Sequence, residues 1–363
     1  MNKILTIFLI IIFCISLILV GFFNYPQIVE YLKDDTWQLA TLENEIHFED
    51  ISMAYGNTNL LVLTKDKIRM FDNNIELSFE TPCVNSSTYQ SSNGDYTALF
   101  ITELNEFFLF KNSKLIWNKK LNLSILELSV NSNGYVSIVF SQSGYKSGVK
   151  VFLPNGDELF TNSLANSYAN KTIVTQDNKY LYIAETYIDG IKLYSQIRRI
   201  DISDVKVNQE DEKLNSISFI KLADNEVVLD FSTNNEILYI LTNESLYQYE
   251  IEEGLKKIKY IDNNVSFVTI NSGRFPIIIG QDLNLRIMKD EMVLVKLDAM
   301  PQSIKTLNNS IVLCYGDKIL SYDMNCRKVA KYSFTNQLKD FNIFNKGNKI
   351  ALVFRDRIEL INI

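Results

Sequence analysis

The chain has 363 residues and a formal net charge of −7, from 36 basic and 43 acidic side chains, and one histidine. An acidic balance with no concentrated basic patch excludes a nucleic-acid footprint, and one imidazole, His47, is too few for a histidine-built metal site. The length suits a large core but exceeds one ordinary domain, and no Pro-, Gly- or Ser-rich linker divides it, so a single domain made of repeats fits best.

Residues 1–3 read as a cytoplasmic tail, followed by an unbroken apolar run, Ile4 to Phe23, with no charge. Twenty residues at about 1.5 Å each make a helix of about 30 Å, the thickness of a bilayer core. A cleaved signal peptide would need a shorter apolar core and small residues at its exit, where Phe22, Phe23 and Tyr25 stand. Cys14 is followed by two further apolar turns, which argues against a lipoprotein signal. A retained transmembrane helix over 4–23 is therefore expected, with 24–36 as juxtamembrane linker. The short tail carrying Lys3 sets the amino terminus inside and residues 37–363 outside the cell membrane.

Beyond the membrane there are three cysteines, Cys83, Cys314 and Cys326, an odd number with no metal-ligand spacing. A hairpin at Gly316–Asp317 would set Cys314 opposite residues near Ile319 and leave Cys326 out of reach, so three buried free thiols are expected.

From Trp37 onward the apolar pattern is short runs rich in Ile, Val, Leu, Tyr and Phe, punctuated by Asn, Gly, Asp and Ser. Leu60–Thr64, Tyr96–Thr102, Tyr135–Ser141, Tyr180–Tyr187, Ile237–Thr242, Pro276–Gly280, Ile311–Tyr315 and Lys349–Phe354 are each followed by a turn and a second strand, which makes them hairpins. They recur about every 40 residues, the period of a four-stranded propeller blade. Innermost strands are expected near Ile51, Ser87, Leu126, Tyr168, Val227, Val265, Ser303 and Lys339. The fold expected is an all-β propeller of eight blades, or seven if the long unit from Tyr168 to Val227 is irregular. The last unit runs out after three strands, and the orphan segment Thr36–Phe48 would close the ring as its outer strand. A pair of β-sandwiches would want a central linker, and a β-helix shorter coils.

The turn Ser92–Asn93–Gly94–Asp95–Tyr96 and the closing strand Asn112–Ser113–Lys114–Leu115–Ile116–Trp117 resemble those of membrane-anchored bacterial propellers with WD40-like or quinoprotein-like repeats, in particular an uncharacterised family with one span and one extracytoplasmic propeller. Quinoprotein blades carry Gly-x-x-x-Trp. Here Ser113 replaces that Gly, and Gly156–Phe160 ends on Phe, so the resemblance implies the fold and layout, and no cofactor and no functional residue carries over.

Catalytic constellations are not found: no Gly-x-Ser-x-Gly, no phosphate-binding Gly loop and no calcium loop occurs. The acidic run Asp201, Asp204, Glu210, Asp211 and Glu212 reads as a solvated loop. The most elaborate hairpins follow Phe140 and Ala184, belong to consecutive blades and join the same strand pair, so both should project from one face. Tyr145, Lys146, Tyr187 and Asp189 on them are the candidate partner contacts. The inner runs Leu126–Val130, Val227–Phe231 and Val265–Ile270 are dominated by apolar and hydroxyl residues, which favours a non-enzymatic, membrane-tethered module binding a protein or envelope polymer. The alternative is an enzyme working from the central funnel, a quinone-dependent dehydrogenase or a hydrolase/lyase, which would need ionisable groups clustered there. A cytoplasmic scaffold follows only from reversed topology.

Overall fold

A computed structural model describes residues 37–48, 51–56, 59–72, 75–83, 87–203, 205, 217–233, 236–260, 265–270, 275–289, 291–344 and 349–362. The tail, the apolar run and the linker over 1–36 lie outside these, as does most of the acidic loop after Ser203. Among the described residues no helix is long and apolar enough to cross a membrane.

The strands form eight sheets, each an antiparallel meander of four, one sheet gaining a fifth strand. In chain order the innermost strands are Ile51–Gly56, Thr88–Asn93, Ser124–Val130, Tyr168–Val174, Val228–Thr233, Val265–Thr269, Ser303–Leu307 and Asp340–Phe344. The fold is thus an eight-bladed β-propeller, and the seven-blade, sandwich and solenoid readings fall away. The unit beginning at Tyr168 is one blade, lengthened by a hairpin of two ten-residue strands, Tyr180–Asp189 and Lys192–Asp201.

Second and third strands are buried on both faces, as in Leu60–Thr64 and Ile277–Gly280. That is why they read as continuous apolar runs without alternation. Each blade packs its two faces on its two neighbours, and eight core clusters sit at the eight junctions. The junction of last and first blades is among them: Phe344, Ala351, Val353, Ile358 and Leu360 meet Ile51, Leu60, Val62 and Phe71. The ring is closed by packing as well as by strand pairing.

Closure uses the segment expected from the sequence. Thr41–His47 pairs antiparallel with Arg357–Asn362 as the fourth strand of blade 8, in the register Leu42 with Ile361 and His47 with Arg357. Lys349 and Arg357 hold it through Glu43 at 2.6 Å and Glu45 at 3.2 Å. The sequence did not announce the two residues before it. Gln38 and Leu39 add in parallel to the outer strand of blade 7, Lys328–Ser333, and Ala40 N–H donates to the Lys331 carbonyl at 2.9 Å. Trp37, Ala40, Ile46 and Phe48 pack against three successive junctions, 6/7, 7/8 and 8/1. The three thiols are free and buried, and Cys314 stands opposite Ile319. Burial pushes the Cys326 thiol up to about 11, so it is not a thiolate at neutral pH.

Three turn glycines, Gly94, Gly134 and Gly156, lie against a neighbouring blade. Gly134 has φ +85°, and a Cβ there would stand 2.5 Å from the Tyr96 ring of the preceding blade. Asn131, three residues before it, reaches forward to the Thr175 carbonyl of the next blade at 2.8 Å.

The meander fixes two faces. Turns between second and third strands share one face with the connections between blades; turns joining first to second and third to fourth strands lie on the other. The chain enters on the other face, where Trp37 stands edge-on to Tyr322 at 5.0 Å and under the Lys328 ammonium.

Candidate functional site: a docking face and the channel beneath it

On the connection face, blade 4 projects. Its third strand pairs with the fourth, Ile217–Lys221, only as far as Gln196, and its second pairs with the first only as far as Thr186. Beyond those points Tyr187–Asp189 and Lys192–Ser195 form a two-stranded rib without ladder partners on either side. At about 3.3 Å per residue it stands roughly 10 Å proud of the sheet. Its tip is apolar: Ile188 is 62% exposed and Ile191 fully so. Leu193 and Tyr194 add exposed area, as do Tyr145 and Tyr168 on the same face, and the Lys146 ammonium sits 5.2 Å from the Tyr168 ring.

The four sequence candidates do not stand alike. Tyr145, Lys146 and Asp189 are exposed, and both hairpins emerge on the expected common face. Tyr187 is half-buried, stacked on Tyr194 at 5.1 Å, and its hydroxyl donates to Glu185 Oε2 at 2.6 Å. Gln196 Nε2 donates to the same oxygen at 3.0 Å and to the Tyr187 hydroxyl at 2.8 Å, while Arg198 forms an ion pair with Glu185, whose side chain is fully buried. Burial first, then the hydrogen bond to Glu185, raise the Tyr187 phenol above its ordinary value. Tyr187 therefore anchors the rib to the blade, and the exposed apolar area of the rib belongs to Ile188, Ile191, Leu193 and Tyr194. An apolar rib tip of this kind follows from Ile188–Asp189–Gly190–Ile191, a turn flanked by two isoleucines, which was readable in the sequence.

Beneath this face, at the channel wall, the expectation of apolar inner strands is corrected. Five innermost strands carry a β-bulge near their start, between Ile51 and Met53, Ile125 and Glu127, Ala169 and Lys171, Val228 and Asp230, and Val265 and Phe267. The extra residue turns outward, which leaves Leu126 and Leu229 51% and 62% exposed. The residue after it turns the other way. In three consecutive blades that residue is ionisable: Glu127, Lys171 and Asp230. Lys171 pairs with Asp230, and Glu127 Oε2 is buried without a hydrogen-bond partner. Burial pushes the Glu127 carboxyl up to about 8, against the pull of the Lys171 ammonium and with Asp230 adding to the rise. Across the ring Lys305 Nζ donates to both Asp340 oxygens at 2.8 and 2.9 Å and to Asn342 Oδ1 at 3.1 Å. No cluster of three metal-ligating side chains occurs among the described residues.

The Glu127 environment has a pH signature. Below about 4.5 the carboxyl is protonated folded and unfolded, and it adds no pH dependence. Between 4.5 and about 8 the unfolded chain releases the proton and the folded one keeps it, so stability falls as pH rises through this window and levels off above it. Glu127→Gln is expected to abolish that fall: its melting temperature should gain steadily on wild type from pH 5 to pH 8, read by thermal scans in matched buffers.

A closed ring of eight four-stranded sheets is a β-propeller with WD40-like repeats. The chain belongs to a family of unknown function, DUF5711, whose profile matches residues 35–363. No curated protein matches it. Among solved structures it is similar to the C-terminal WD40 domain of Sif2, at TM-score 0.58 and 12% identity over 90% of this chain and 99% of that one. It is also similar to BamB from Moraxella catarrhalis, at 0.52 and 9% over 90% and 98%. A third is the dihydro-heme d1 dehydrogenase NirN in complex with DHE, at 0.55 and 11% over 89% and 77%. At such identities the likeness is one of fold.

Proposed function

We propose that the protein is a membrane-anchored, extracytoplasmic propeller that acts as a non-enzymatic binding module for a protein or envelope component, and that it binds through the connection face of blades 3 to 5. One observation carries this reading. On that face the large exposed apolar side chains among the described residues, Leu104, Leu126, Tyr145, Tyr168, Ile188, Ile191 and Leu229 with the rest of the rib, fall in blades 2 to 5, and all but Leu104 in blades 3 to 5. Scattered surface apolars need no explanation, but a concentrated set around a projecting rib does. The chain enters on the opposite face, so a helix over 4–23 would present this surface away from the bilayer. Protease added to intact cells should cleave the propeller, and Ile188→Ser/Ile191→Ser should abolish capture of crosslinked partners while leaving the melting temperature unchanged. A protected propeller, or capture indifferent to the substitutions, would refute it.

The funnel enzyme has one observation in its favour, the Glu127, Lys171 and Asp230 cluster at the channel wall. Its charges are largely spent on each other, since Lys171 is paired with Asp230 and Glu127 is uncharged at neutral pH. That suits inter-blade cohesion better than proton transfer.

A further inference from the structure

Lys171 stands between two acids, one on each neighbouring blade. Glu127, Lys171 and Asp230 follow the bulges of three consecutive innermost strands, and the ammonium is paired with Asp230 of blade 5. Glu127 of blade 3 is held at the same place, because the backbone N–H of Thr172, next in the chain to Lys171, bonds to its carboxyl. Its Oε2 is buried without a hydrogen-bond partner.

The two acids differ in what they lose without the lysine. Asp230 Oδ1 also accepts from Phe231 N–H at 2.9 Å, so it keeps a donor. An ionised Glu127 has no such reserve at Oε2, and a buried carboxylate without a counter-charge is costly. The strands packed against Ser124–Val130 are Thr88–Asn93, Tyr96–Ile101, Val136–Ser141 and Tyr168–Val174. Their titratable side chains are Tyr89, Tyr96, Tyr168 and Lys171. The counter-charge within reach is therefore Lys171, drawn from Asp230. Both members of that pair are about a quarter exposed, 26% and 27%, so the ammonium can swing without repacking a core.

Directly before the two acids come Leu126 and Leu229, the exposed bulge residues of the connection face. A bulge sets the directions of adjacent residues together, so a pull on either acid is passed to its leucine.

We propose that Lys171 is a shared counter-ion that moves from Asp230 to Glu127 when Glu127 loses its proton, exchanging a contact between blades 4 and 5 for one between blades 3 and 4 and shifting the leucines at both bulges. The proposal goes beyond the docking reading and does not need it, because it is read on the protein without a partner.

The test is a pH titration of the full-length protein in detergent, followed by NMR of its labelled leucine methyl groups. Leu126→Val and Leu229→Val assign the two signals. Both methyl signals should shift together with a midpoint of about 8, and Glu127→Gln should silence both. Asp230→Asn, which leaves the ammonium to Glu127, should lower the Leu126 midpoint by about one pH unit, a tenfold change in proton affinity. In Lys171→Met, Leu126 should still titrate, at higher pH, while Leu229 falls silent, since its link to Glu127 is gone. A Leu229 signal that ignores pH in the wild type would overturn the proposal. So would one that still follows Glu127 in Lys171→Met, or a Leu126 midpoint unmoved by Asp230→Asn.

Discussion

Deleting residues 37–48 is expected to cost the protein its cooperative fold. Those twelve residues supply the fourth strand of blade 8, a parallel addition to blade 7, and apolar contacts at three junctions. Their loss leaves Arg357–Asn362 and Lys328–Ser333 as open edges, which invite pairing between molecules. A domain has a margin of only about 5–15 kcal/mol, and three weakened junctions in a closed ring exceed it. The deletion variant should elute as aggregate and melt without a sharp transition. By contrast Glu43→Gln, which weakens only a surface ion pair with Lys349, should shift stability by no more than about 1 kcal/mol. A monomeric deletion variant with a wild-type melting curve would show that the ring does not need its latch.

The second large effect is expected at the root of the rib. Glu185 is fully buried and keeps its charge company through Arg198, Tyr187 and Gln196. Arg198→Ala would strand a carboxylate in the blade at a cost of about 3–5 kcal/mol, while replacing both partners with apolar residues of similar volume, Glu185→Leu with Arg198→Met, should recover much of it. Urea unfolding followed by tyrosine fluorescence and circular dichroism reads the difference as a shift in midpoint. Equal destabilisation by the single and double variants would mean that packing, not the charge, sets the cost.

The architecture was legible because propeller blades leave a periodic trace. The expected innermost strand starts at Ile51, Tyr168, Val265 and Ser303 coincide with the observed ones, those at Ser87, Val227 and Lys339 fall one residue early, and that at Leu126 falls two residues late. Doubly buried second strands such as Leu60–Thr64 gave unbroken apolar runs, and Asn-Gly turns marked their beginnings. The orphan segment could be placed because a ring that lacks one strand accepts only one.

The channel was not legible, and the cause is the bulge. Reading by alternation assigns Leu126 and Leu229 to the interior and leaves Glu127 and Asp230 unremarked. One extra residue in the strand exchanges those roles, and nothing in Ser124–Val130 signals it locally. The comparison that finds it is between blades: Glu127, Lys171 and Asp230 each stand third or fourth in their innermost strands. The half-burial of Tyr187 has a related cause. Its position two residues from Glu185 puts both on the same side of the strand, and a buried carboxylate there captures the phenol. Its exposed neighbours, Ile188 and Ile191, flank the turn Asp189–Gly190, and two isoleucines on either side of a turn are the sequence signal that could have marked the rib tip.

The most direct measurement of the proposed role is site-specific photocrosslinking in intact cells. A photoreactive phenylalanine analogue at Ile191, on the rib, is compared with the same analogue at Leu115, an exposed apolar position on the face where the chain enters. The expected result is one or a few discrete adducts from Ile191 and none of the same mass from Leu115. Identical adducts from both positions, or a diffuse smear from Ile191 alone, would contradict a partner held on the connection face.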